Sequence, residues 1–172
     1  MCGFSGFLNF NPNWGDPLTL LQQMGDQLAH RGPDDSGVWF DNNCGVGLSH
    51  RRLSIIDLSA QGHQPMFSTS GRFVIAYNGE IYNHQELKKE LLQAGVVFRG
   101  GSDTEVLLAA IESWGIKQTL RRCIGMFAFS LWDKKEQTLS LVRDRMGEKP
   151  LYYGWQGKGA KRTFLFGSEL KS

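Results

Sequence analysis

The sequence predicts an α+β fold, built as strands, then helices, then strands again. Three observations carry this: short β-like runs broken by turn residues through the first half, two capped helical segments between residues 83 and 115, and β-rich runs alternating with charged or glycine-bearing turns beyond residue 125. The 21 glycines fit the many turns such strands need.

Residues 3–10, "GFSGFLNF", are apolar and aromatic and end in the turn signals "NPNWGDP", which predicts a largely buried first strand. Asp16 then caps a helix with Pro17 at its first position and Leu18, Leu21, Met24 and Leu28 at helical spacing, stopped by "RGPDDSG". "GVWF", "CGVGLSH" and "RRLSIID" follow as short strands. In "RFVIAYNGEIYN", Asn78-Gly79 falls between two β-like runs and predicts a type I′ hairpin turn. Asn83 with Glu86, and Ser102 with Glu105, have capping-box spacing ahead of helices closed by Gly95 and Gly115. "GMFAFSLWD", "QTLSLVRD", "PLYYGW" and "RTFLFGS" read as a meander, and the final "ELKS" as the start of a further helix.

A chain of 172 residues with 41% hydrophobic and 21% charged residues suits one soluble globular domain. Its net charge of +2, spread over mixed signs, forms no basic stripe, so nucleic acid and anionic membranes are poor partners and small molecules better ones. No apolar segment reaches the roughly 18 residues of a membrane span, and no signal peptide opens the chain, which reads as cytoplasmic. Cys2, Cys44 and Cys123 are odd in number and widely spaced, against a disulfide framework or a zinc site. His30, His50, His63 and His84 lack metal-ligand spacing, so no metal is expected.

The chemistry centres on Cys2. Loss of Met1 would leave a thiol with an ordinary pKa of about 8.5 and an amine of about 7.7–8.0 on one residue, so that the amine serves as base to the thiol. Position alone leaves a buried structural thiol as an equal reading. "GFSG" falls one residue short of the G-x-S-x-G nucleophile elbow and lacks the strand before it. Asp34 and Asp35, set among glycine, proline and serine, read as a turn. Tyr82, Cys44, Cys123 and the aromatic residues of "GMFAFSLWD" read as core.

Taken in order, "MCGFSGF", "HRGPDDSG", "RRLSIIDLSAQGHQPM", "YNGEIYN", "GSDTEVLL", "GMFAFSLWD" and "RDRMGEKPLYY" closely resemble the glutaminase domain of glutamine-dependent asparagine synthetases, a class II amidotransferase among the N-terminal nucleophile hydrolases. The resemblance covers essentially the whole chain, taken as one domain over residues 1–172. It implies a four-layer αββα sandwich with two mainly antiparallel sheets. It also implies that Cys2 attacks the glutamine side-chain amide, that Asn78 and Gly79 supply the oxyanion hole, and that Arg52 clamps the α-carboxylate. Asp103 and Glu80 are implied to bind the α-ammonium, and the backbone around Leu53, Ile55 and Ile56 to line the pocket. Asp103 has a second reading as a favourable acid in the first turn of its helix, and Glu80 one as a polar strand residue.

The resemblance implies no cofactor in this domain. It implies glutamine as substrate and, as partner, a C-terminal ATP-dependent synthetase domain whose S-G-G-x-D-S type loop is not in this sequence. The chain is therefore expected to be a truncated piece, with the ammonia acceptor undetermined. Two other readings stand beside this one: a glutamine-binding module that does not hydrolyse, and the glutaminase half of an amidotransferase with another acceptor.

Overall fold

The computed structural model describes residues 1–9, 11–54, 59–159 and 162–172. In chain order its elements are β1 (Gly3–Leu8), α1 (Pro17–Asp26), β2 (Asp35–Asp41), β3 (Val46–Arg52), β4 (Met66–Phe67), β5 (Phe73–Ile81), α2 (His84–Gln93), α3 (Asp103–Trp114), α4 (Ile116–Arg122), β6 (Gly125–Asp133), β7 (Thr138–Arg143), β8 (Tyr152–Gln156) and β9 (Thr163–Gly167). They form a five-stranded sheet in the order β2-β3-β1-β9-β8 and a four-stranded sheet in the order β4-β5-β6-β7, with antiparallel pairing throughout.

Alternation along the strands explains the layers. In β5, Phe73, Ile75, Tyr77 and Ile81 pack with Leu87, Leu91 and the apolar face of α3, whereas Val74 and Ala76 point the other way and meet Phe4, Val46, Leu48, Trp132 and Phe166 between the sheets. Both faces of β5 are covered along Phe73–Tyr77, which is apolar throughout, before the strand runs into Asn78, Gly79 and Glu80. The α1 helix lies on the outer face of the five-stranded sheet, against β1, β2 and β3. The order is thus α1, sheet, sheet, helices: the αββα arrangement expected. Each fully buried Phe, Leu or Ile in these two cores contributes roughly 1.5–3 kcal/mol.

Asp16 caps α1 through Thr19 N–H at 2.7 Å, and Ser102 caps α3 through Glu105 N–H at 3.2 Å. Glu105 turns outward to the amides of Arg99 and Gly100 instead of closing the capping box. At α2 the expected box does not form. The Asn83 side chain is engaged across the fold, donating to Arg122 O and accepting from Ile124 N, so it has no cap bond to give.

Other local expectations are also corrected. Asn78 and Gly79 do not turn: they lie inside β5, paired with Ala128 and Phe127 of β6. A nine-residue ladder with both faces buried overrides the local turn preference of Asn-Gly. Asp35, Ser36 and Gly37 belong to β2 and pair with Arg52, Arg51 and His50. The α1 helix ends at Asp26, after which short turns carry Leu28 into the core, and "ELKS" forms a turn instead of a helix. Tyr82 is 55% exposed where core was expected, and Cys44 is half-buried, but Cys123, Phe127, Phe129 and Trp132 are core as read. The seven-residue α4 and two-residue β4 were not read from the sequence. No helix among the described residues is long and apolar enough to cross a membrane.

Candidate active site

The strand ends converge on one cleft. It is lined by Met1 and Cys2 at the entry to β1, Arg52 and Leu53 at the end of β3, Tyr77, Asn78, Gly79 and Glu80 in β5, and Ser102, Asp103 and Thr104 at the start of α3. Gly62, Gln64, Met126 and Lys149 complete it. Every predicted site residue within the described residues is therefore in one place; Ile55 and Ile56 lie outside them.

Cys2 is set by β1, which pairs with β3 on one side and β9 on the other. Its Sγ receives Leu53 N–H at 3.3 Å and lies 3.5 Å from Leu53 O, to which it donates when protonated. Burial pushes the thiol pKa up, and Leu53 N–H, the Met1 ammonium and Arg52 pull the other way. With Met1 in place, the balance holds the sulfur as a thiol.

The carbonyl of Cys2 is held from two sides. Arg31 Nε donates to it at 3.0 Å, and the Asn78 amide satisfies its surroundings in one orientation, with nitrogen donating to Cys2 O at 3.1 Å and oxygen accepting from Arg31 Nη2 at 3.3 Å. Arg31 is anchored in turn by Glu169, 3.1 Å from Nη1. It reaches across β1 because residue 3 is glycine: a Cβ there would lie 3.0 Å from Arg31 Cδ. The space a side chain at position 3 would fill holds the Arg31 side chain.

Arg52 is almost buried, and its Nη1 donates to Ser59 O at 2.9 Å. The guanidinium lies flat against Gly62, where a Cβ would come within 2.5 Å of Arg52 Cζ, so this close approach requires glycine. Asp103, 5% exposed, accepts from Tyr77 OH at 2.8 Å and Ile81 N–H at 2.9 Å through Oδ2, and from Thr104 N–H at 3.0 Å through Oδ1. It is fixed by α3 and β5 together. Burial, then the Asp103 carboxylate, raise the Tyr77 hydroxyl well above its ordinary value, so Tyr77 stays a donor. Gln64 Oε1 accepts from Tyr77 N–H at 2.7 Å and pins the same strand. Glu80 lines the cleft half-buried, with no hydrogen bond or ion pair among the described residues.

The arrangement offers a nucleophile at one end and, along the walls, a guanidinium and two carboxylates of the kind that hold an amino acid's charged groups. Among the described residues, no group of three or more His, Cys, Asp or Glu is placed to hold a metal ion. Sequence reasoning missed Arg31, Gln64, Tyr77 and Lys149. The only signal for them was that each sits inside or beside a quoted motif.

Known proteins resemble the chain along its whole length. The sequence profile of the family described as "Glutamine amidotransferase domain" matches residues 1–172. The glutamine-hydrolyzing asparagine synthetase 3 of Bacillus subtilis (strain 168) is 40% identical over 174 residues, covering 100% of this chain and 27% of that protein. "Amidase chry2" of Gibberella zeae is 40% identical over 181 residues, covering 100% of this chain and 26% of that one. The chain thus spans about a quarter of the length of these two relatives. Among solved structures, a glutamine phosphoribosylpyrophosphate amidotransferase from B. subtilis superposes with a TM-score of 0.76 at 22% identity, covering 97% of this chain and 42% of that one, a likeness of fold.

Proposed function

Since the chain belongs to the glutamine amidotransferase domain family, we propose that its cleft hydrolyses glutamine to glutamate and ammonia with Cys2 as nucleophile. The single observation that carries this is the position of the Cys2 sulfur, at the edge of a cleft that also holds Asn78, Gly79, Arg52, Glu80 and Asp103.

Removal of Met1 frees the Cys2 amine. The amine takes the thiol proton, the sulfur bonds to the amide carbon of glutamine, and the carbonyl oxygen becomes an oxyanion. Asn78 Nδ2 and Gly79 N–H are the assigned donors to it, and one such donor is typically worth roughly 2.7–4 kcal/mol of barrier. The Asn78 amide now bonded to Cys2 O has to turn its N–H toward the oxyanion as it forms. The C–N bond then breaks, the amine's proton leaves with ammonia, and a γ-glutamyl thioester remains. Water adds to the thioester and releases glutamate and the Cys2 thiol.

Arg52 is assigned to the α-carboxylate, since its planar fork matches two oxygens. Glu80 and Asp103 are assigned to the α-ammonium. Asp103 already accepts three N–H or O–H donors, so Glu80, with no such partner among the described residues, is the stronger of the two.

The ammonia is proposed to feed an ATP-dependent synthetase domain, as the sequence resemblance implies, with asparagine as product, the product that the names of longer relatives give. The relative named as an amidase keeps a second reading open, in which the same ammonia goes to another acceptor. The test of the glutaminase reading is direct. Protein shown by intact mass to lack Met1 releases glutamate from glutamine, and Cys2→Ala releases none while keeping the wild-type circular dichroism spectrum. Undiminished turnover in that variant sinks the mechanism. A Met1-retaining protein that binds glutamine without turnover is the binding-module alternative.

A further inference from the structure

Lys149 is a buried cation that the steps above leave unused. It lies between β7 and β8 on a tightly tied turn: its N–H donates to Asp144 Oδ2 at 3.1 Å and its carbonyl accepts from Arg143 Nε at 2.6 Å. Asp144 Oδ1 also takes the N–H groups of Met146 and Glu148. The turn delivers the side chain into the cleft, where Lys149 is only 5% exposed. Its Nζ lies 2.9 Å from Met1 Sδ, and no carboxylate pairs with it among the described residues.

A buried ammonium opposite a thioether is poorly compensated, because sulfur is a weak acceptor and an unpaired charge is costly away from water. The contact also vanishes with Met1. Excision opens the space Met1 occupied, which is 55% exposed to solvent and is bordered on the protein side by the freed α-amine of Cys2, so the ammonium then faces both. We propose that in the processed protein Lys149 is a positioning residue that keeps this amine neutral, and hence able to take the thiol proton. The proposal rests on the reading of Cys2 as nucleophile.

Two cations in one cleft disfavour each other, so a cation beside the amine favours the amine's neutral form. The other charged or titratable groups lining the cleft are the Cys2 thiol, Arg52 of β3, Tyr77 and Glu80 of β5, and Asp103 of α3. Arg52 acts in the same sense as Lys149, and so does Arg31, whose Nε lies 3.0 Å from the Cys2 carbonyl but whose charge is paired with Glu169. Glu80 and Asp103 oppose it, but three donors already engage the Asp103 carboxylate. Asp144, on the Lys149 turn itself, is saturated by backbone N–H groups, which pull its pKa down.

The experiment is the pH dependence of kcat/KM for glutamine, measured on Met1-free wild type, Lys149→Met and Lys149→Arg. The acid limb, which reports the free amine, should move up by about one pH unit in Lys149→Met and stay near wild type in Lys149→Arg. A Lys149→Met limb that overlies the wild type overturns the proposal. Wild-type protein labelled with ¹⁵N-cysteine gives a readout that needs no variant and no turnover: the Cys2 amine should titrate below the ordinary range of roughly 7.7–8.0. A midpoint within or above that range also overturns it. Glutamate release by Cys2→Ala would instead sink the nucleophile reading, so the two failures are distinct.

Discussion

Lowering the pH below 6.5 should weaken this fold through one residue, His50. It lies on the inner face of β3, 1% exposed, and its Nε2 is 2.9 Å from the carbonyl oxygen of Tyr77 in β5, so it ties one sheet to the other. A carbonyl only accepts, which fixes the proton on Nε2 and leaves Nδ1 as a bare acceptor, buried and without a partner among the described residues. Protonating Nδ1 would create a charged N–H with nothing to receive it. Burial therefore pulls the His50 pKa from 6.5 to about 4, a drop that the Tyr77 carbonyl offsets only in part.

The sign follows from where the protons go. As the pH falls past about 6.5 the unfolded chain takes a proton at residue 50, while the folded chain waits until about 4. Stability is thus full above 6.5, declines through that window and levels off below 4 as far as this group is concerned. A shift of about 2.5 units corresponds to about 3 kcal/mol, a large share of a typical 5–15 kcal/mol total. The assay is urea denaturation from pH 7 to pH 4 on wild type and His50→Gln, whose amide can still donate to Tyr77 O but does not titrate. Wild type should lose about 3 kcal/mol more than the variant across that window, because the other titrating groups are common to both. Parallel stability curves would refute the reasoning.

At the carboxylate clamp, Arg52→Ala should raise the glutamine KM with a smaller effect on kcat. Gly62→Ala should do the same from a distance, because the new methyl group takes the place of the guanidinium, and an unchanged KM in both variants would remove the clamp assignment. Asp103→Asn turns an N–H₂ group toward at least one of the donors Tyr77 OH, Ile81 N–H and Thr104 N–H, and should cost about 1–3 kcal/mol in denaturation. An equal KM effect without loss of stability would point instead to direct ammonium contact.

The sequence located the cleft through motifs that carry the family resemblance: a cysteine after the initiator, an arginine in "RRLSII", and acids in "YNGE" and "GSD", all of which line it. The missed residues act by geometry. Arg31 matters because it crosses Gly3 to hold Cys2 O, and Lys149 because a turn 148 residues away aims it at Met1. No local period records either contact. Likewise, Asn-Gly reads as a turn in any short window, and only pairing with β6 on one side and burial on both faces make it strand. The capping residues of α1 and α3 were legible because their partners lie three residues away. Asn83 was misread because its partners, at Arg122 and Ile124, lie about forty residues away.

The place of β1 has a consequence for the order of events during synthesis. The strand that carries the nucleophile is made first, yet it lies between β3 and β9, and Arg31 is anchored by Glu169. At a ribosome's pace of ~5–20 residues per second, β9 follows β1 by some tens of seconds at the slow end of that range. For that whole interval the N-terminus lacks its second neighbouring strand, and for most of it the turn carrying Lys149 as well. An aminopeptidase working on the nascent chain thus meets Met1 before Lys149 and β9 are in place beside it, and Met1 stays 55% exposed once they are. The nucleophile can be unmasked both before and after the sheet that carries it is complete.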